Sequence, residues 1–210
     1  IYPLLFEDST GIIKGYIPDI LSLIESRSNL TFKYVPKERG RTVKEMLRNG
    51  SIDMLLFPSK SEIEDLNIFS FTNPYLKIKY IAMKTNSLIS KEDTIGILID
   101  DGFCKELLKN NKMGGKVKFY HELDTLLLDL ERGEISKVYM RQDVLKEVLA
   151  RKLIKSYTVM PNDFITSDLS FGLLISHPEI KSLLNKVIST LNVDQIENIK
   201  KLHLLFRQFW

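Results

Sequence analysis

The segment from Leu47 to Lys84 constrains the fold more than any other part of the chain. A helical pattern through Leu47-Arg48-Asn49 runs into Gly50, which has no Cβ and takes the left-handed turn that ends helices. The apolar run Met54-Leu55-Leu56-Phe57 follows and is cut off by Pro58. Such a run is too short for a helix and suits a buried strand. Its carboxyl end opens into Ser59-Lys60 and a charged stretch to Asn67, ahead of Phe69-Ser70-Phe71-Thr72-Asn73-Pro74-Tyr75 and an alternating strand from Ile78 to Lys84. In open α/β sheets, ligands collect at the carboxyl ends of strands. Binding, rather than chemistry, is the first function to expect.

On either side of this segment the pattern repeats. Before it come a helix with Ile17, Ile20, Leu21 and Ile24 on one face, an alternating strand from Thr31 to Val35, and a helix from Arg41 to Arg48. After Thr85-Asn86-Ser87 the alternation restarts. Strands are expected at 94–99, 117–120 and 137–140, and helices at 103–109, around Leu123, Leu126, Leu127 and Leu130 up to Gly133, and at 142–150. Residues 156–160 read as extended, 161–168 as a polar loop and 169–175 as a strand. Two helices close the chain, the first starting near Pro178. Two βα series in succession predict two lobes, each a mostly parallel sheet flanked by helices.

Composition narrows the function. The 210 residues suffice for one large domain or two modest lobes, each with a core. With 44% hydrophobic and 27% charged residues, the chain reads as an ordinary globular protein. Its 30 basic and 27 acidic residues give a net charge of +3, too balanced to point to nucleic acid. Cys104 is the only cysteine, so no internal disulfide and no cysteine-based zinc site can form. His121, His177 and His203 lack metal-ligand spacing, and no phosphate loop, dinucleotide fingerprint or nucleophile elbow occurs. Neither metal nor cofactor is expected. The start at Ile1-Tyr2-Pro3 reads as that of a mature or excised fragment.

Four stretches together resemble the type 2 periplasmic binding fold, specifically the bacterial family 3 solute-binding proteins. Tyr2-Pro3 with Phe6 is similar to the family's opening segment. Gly11 through Gly15-Tyr16 to Asp19-Ile20-Leu21, then Leu47 to Ile52-Asp53, then Phe69 to Tyr75 are similar to three further signatures, in order and near the family's spacing. Gly133-Glu134-Ile135 and Phe171-Gly172-Leu173 echo second-lobe signals more weakly. The resemblance implies lobe 1 at 1–83 plus 176–210, lobe 2 at 84–175, two hinge crossovers and a small polar molecule between the lobes.

It also shows where the chain departs from its pattern. The family's amino-acid binders hold the ligand carboxylate with a lobe 1 arginine, and that position is Asp65 here. Their lobe 2 aspartate, which holds the ammonium, corresponds to Arg141, with Asp143 two residues on as a lesser stand-in. The anion-receiving turn of lobe 2 reads Asp100-Asp101-Gly102. The clamp's charges thus look exchanged. Either the ligand is not an ordinary α-amino acid, or Asp65 and Arg141 pair with each other across a vestigial cleft, or the correspondence shifts by a residue or two.

The candidate ligand-binding residues are Tyr2, Phe6, Arg41, Phe57, Ser59, Lys60, Asp65, Tyr75, Asp100, Asp101 and Arg141. The aromatics among them are equally at home in a core, and Arg41 in a solvated first helical turn. The expected function is that of an extracytoplasmic sensor domain of a bacterial membrane signalling protein, on the periplasmic or extracellular face of the membrane. A kinase or cyclase, a membrane tether outside this sequence, and a homodimer are all admissible partners. A solute receptor of an ABC transporter is the alternative. An enzyme like cyclohexadienyl dehydratase, on the same fold, is a weaker one with only Glu62, Asp65, Asp100 and Asp101 as acids.

Overall fold

The computed structural model describes residues 4–36, 40, 42–56, 69–86, 93–98 and 115–206, with side chains through His203. The chain divides into two units, one of Ile1–Leu76 and Asp168–Trp210, the other of Lys77–Ser167.

Unit 1 starts with a two-stranded hairpin, β1 (Phe6–Glu7) and β2 (Ile13–Lys14). Asp8 shapes its turn: the carboxylate accepts N–H bonds from Thr10 and Ile12 and the Thr10 hydroxyl, and pairs with Lys14 at 2.6 Å. Helix α1 (Tyr16–Ser28) buries Tyr16, Ile17, Ile20, Leu21 and Ile24, the face expected from their spacing. Helix α2 (Val43–Arg48) is shorter than expected and begins with a capping box, in which Thr42 and Glu45 satisfy each other's backbone N–H groups. It ends where Gly50 enters the left-handed region at φ +74°.

A three-stranded sheet follows, in the order β3 (Met54–Leu55), β10 (Gly172–Leu174), β4 (Phe69–Phe71). Helices α5 (Pro178–Ile188) and α6 (Val193–Phe206) close the unit, both lying against α1. Arg27 of α1 ties them in, donating to the Thr190 carbonyl and hydroxyl and to Gln195 Oε1. Asp19 stands in the first turn of α1 behind the N-cap Gly15, and meets His203 of α6 at 2.7 Å.

Unit 2 is built on a five-stranded sheet ordered β7 (Lys116–Tyr120), β6 (Thr94–Leu98), β8 (Lys137–Arg141), β5 (Leu76–Thr85), β9 (Tyr157–Leu169). Helices α3 (Leu123–Arg132) and α4 (Gln142–Ala150) cover one face. Leu126, Leu127 and Leu130 of α3 pack there with Ile81, Met83, Val138 and Met140, and with Leu145 and Val148 of α4. Gly133 stops α3 in the left-handed conformation, as its sequence position predicts. Gly96 of β6 leaves room for this layer: a Cβ there would stand 2.5 Å from the ends of Ile135 and Leu126.

Three expectations need correction. The sheets are mixed, not mostly parallel: β6 runs parallel to β7 and β8, but β5–β8 and both β10 pairings are antiparallel. Strands that return after a crossover pair antiparallel with those already laid down. Residues 31–35 form no strand, because the Phe32 N–H donates to Glu25 Oε1 at 2.6 Å and its ring packs on Phe171, 6.3 Å between centroids. Residues 161–168 are not a loop but the middle of β9. This strand ends the sheet order, and an edge tolerates a proline with no N–H to give. The expected helix at 103–109 lies outside the described residues.

One cluster couples β7 to α3. Asp129 Oδ2 receives both the Lys118 ammonium and the Tyr120 hydroxyl at 2.7 Å. The Lys118 bond chiefly, together with Tyr120, holds the Asp129 pKa below the ordinary value against burial. A carboxylate depressed in the folded state stabilises fully above its unfolded pKa, about 3.9, and that contribution disappears as pH falls through the folded value. The stability difference between wild type and Asp129→Asn, followed by urea denaturation from pH 7 to 3, is therefore expected to shrink on acidification. A pH-independent difference would count against this coupling.

Candidate functional site

The parallel part of the unit 2 sheet defines a place for a ligand. From central β6 the chain goes first to β7 on one side and then to β8 on the other, so the strand order reverses at β6. In open α/β sheets the carboxyl ends at such a reversal flank a crevice left by connections departing in opposite directions. The three strands end at Leu98, Tyr120 and Arg141.

Arg141 is the last residue of β8 and the N-cap of α4, with no loop between strand and helix. It is only 3% exposed. Its Nε donates to Asp143 Oδ1 at 3.0 Å, and the same oxygen accepts the Val144 N–H at 2.8 Å. Tyr80 stands opposite Arg141 in the β5–β8 register, on the same face of the sheet and 2% exposed. Two residues back, the Tyr139 hydroxyl donates to Asp163 Oδ1 at 2.7 Å and Lys137 Nζ pairs with Oδ2 at 3.0 Å. Ala82 lies opposite Tyr139 on the intervening strand, so only a methyl group stands in the way of this reach to β9. Burial opposes the charges of Lys137 and Asp163, but their mutual bond and that of Tyr139 prevail, raising the ammonium pKa and lowering that of the carboxyl. Burial, then the Asp163 bond, push the Tyr139 phenol up.

Of the sequence candidates, Arg141 alone is placed in unit 2 by the described residues. Phe6 lies in unit 1 on β1, half-buried and in register with Lys14. Tyr75, also in unit 1, is 2% exposed, stacks on Phe171 at 4.3 Å and donates its hydroxyl to the Leu56 carbonyl at 2.8 Å. Tyr2, Arg41, Phe57, Ser59, Lys60, Asp65, Asp100 and Asp101 lie outside the described residues, and with Asp65 the pairing expected of it. Sequence reading passed over Tyr80, Tyr139 and Asp163. The alternation of Tyr139 with Arg141 along one strand was a usable signal for the first two, whereas Asp163 was hidden in an assumed loop. Among the described residues no cluster of three histidine, cysteine or acidic side chains could hold a metal. None of their helices is long and apolar enough to cross a membrane.

A two-unit α/β chain with a reversal point in its second sheet has the fold of the type 2 periplasmic binding proteins, and solved structures bear this out. The Bordetella pertussis BvgS periplasmic VFT2 domain superposes with a TM-score of 0.67 at 18% identity, covering 96% of this chain and 88% of that one. A periplasmic His/Glu/Gln/Arg/opine family-binding protein from Silicibacter pomeroyi, in complex with lysine, gives 0.66 at 15% identity over 97% and 92%. Substrate binding domain 2 of Lactococcus lactis GlnP gives 0.62 at 17% identity over 96% and 90%. The chain belongs to the bacterial extracellular solute-binding proteins, family 3, whose pattern it matches over residues 1–205. No curated protein matches it by sequence.

Proposed function

We propose that this chain is the solute-sensing domain of a bacterial membrane signalling protein, held on the outer side of the cytoplasmic membrane. In this reading its two lobes, 1–83 plus 176–210 and 84–175, close on a small polar molecule that is not a standard α-amino acid, and no turnover follows. One observation carries it. At the end of β8, where an ammonium-holding carboxylate would be useful, stands the buried Arg141, and the nearby Asp143 is engaged by that guanidinium and by the Val144 N–H. A buried cation disfavours a second cation beside it. The likeness to the BvgS VFT2 domain supports a sensing role, and the likeness to the GlnP domain keeps a transporter receptor as the alternative.

The test is a thermal-shift screen of the 210-residue chain against the standard α-amino acids, small carboxylates, polyamines and sugars, since a ligand bound by the native state raises apparent stability. No α-amino acid is expected to raise the melting temperature, while a member of another class is. Saturable stabilisation by glutamine, lysine or arginine would refute the ligand assignment. The complete reading frame separates sensor from receptor: a membrane-spanning helix joined to a kinase or cyclase domain is expected, and a chain encoded with a transporter would overturn it.

A further inference from the structure

We infer that the solute carries an acid group and that Arg141 receives it. The inference deepens the function proposed above and rests on unit 2 being one half of a solute-binding domain. Of the three residues that end the parallel strands, Leu98, Tyr120 and Arg141, only the last is charged, and it sits at the reversal point of the sheet. A guanidinium this deeply buried needs anionic company, because its desolvation must be offset by paired, hydrogen-bonded charge. Asp143 supplies part of it from one side by holding Nε, which also fixes the plane of the group. A planar guanidinium held at one edge suits recognition of a carboxylate, whose two oxygens match parallel N–H donors.

The neighbours select in the same direction. Tyr80 and Tyr139, on the same face of the sheet, bring phenols rather than carboxylates. Asp163, the other acid near this face, is held by Lys137 and Tyr139. The first turn of α4 adds the positive end of a helix dipole at the same point. A ligand ammonium brought here would meet a fixed cation, whereas an acid group would complete the arginine's coordination. Arg141 is thus the specificity-determining residue of this half.

Three probes of one length separate the chemistries: succinate, butane-1,4-diamine and butane-1,4-diol. They are added to the 210-residue chain at constant ionic strength, with melting temperature and calorimetric titration as readouts. Succinate is expected to raise the melting temperature saturably and the other two to leave it unchanged. Arg141→Met is expected to weaken succinate binding at least tenfold, and Arg141→Lys, which keeps the charge without the fork, to fall between. A purely structural arginine would lower the melting temperature of the variants yet leave the succinate-induced rise intact, and that result overturns the inference. So does a shift caused by the diamine or the diol instead, although solute binding itself would then stand. If none of these probes and no compound of the wider screen binds, both readings fall. Should Arg141→Met not fold, the ranking of probes on the wild type and the response of Arg141→Lys decide.

Discussion

Phe171→Ala is expected to destabilise unit 1 by about 3–5 kcal/mol, the range for emptying a large aromatic site in a close-packed core. Phe171 is fully buried, with Tyr75 stacked on it at 4.3 Å and 12° and Phe32 6.3 Å away at 25°. It therefore stands between the aromatic of the 31–36 segment and that of the stretch leading into β5. Its backbone is tied down too: the N–H donates to the Thr72 hydroxyl at 3.0 Å, and the carbonyl accepts the Thr72 N–H at the same distance. These bonds survive the substitution, so the loss measures packing alone. Phe171→Leu, which keeps most of the volume, is expected to recover more than half of it. Urea denaturation reads both variants, and a loss below about 1 kcal/mol, the scale of a surface change, would mean that the stack contributes little.

In unit 2 the largest single effect is expected at Gly115. Its φ is +108°, and a Cβ added there would lie 2.0 Å from the Asp93 carbonyl oxygen. That oxygen accepts the Lys116 N–H at 3.1 Å, so the carbonyl cannot swing aside without giving up the bond that starts the β6–β7 ladder. Backbone, unlike a side-chain tip, has nowhere to go. Strain at an unfavourable φ together with overpacking predicts a loss of roughly 3 kcal/mol for Gly115→Ala. Hydrogen exchange should place it: amides of β6 and β7 lose protection while those of α1 keep theirs. Unchanged protection in β7 would show that the turn rearranges freely.

Much of this architecture was legible in the residues because local and global preferences agree. Leu123, Leu126, Leu127 and Leu130 share one helical face and Gly133 ends it, so periodicity and stop signal specify α3 together. Arg141 was legible as a site candidate from its place after a short apolar strand. The failures have equally local causes. Thr31 to Val35 alternates like a strand, but alternation is silent about who takes the N–H groups, and Glu25 takes that of Phe32. Pro161-Asn162-Asp163 carries turn chemistry in a strand that lies at a sheet edge, where the missing donor costs no ladder bond. Asp163 could not be matched with Lys137 and Tyr139 from sequence, since their meeting depends on Ala82 being small on a strand far from both in the chain.

The direct junction of β8 and α4 at Arg141 has a mechanical corollary. A connection without spare residues has no slack, so a pull on this side chain reaches the sheet through Met140 and the helix through Leu145 and Val148 at once. Whatever grips the guanidinium thereby handles a strand and a helix as a single lever, and the domain needs no separate linkage to report that its binding place is filled.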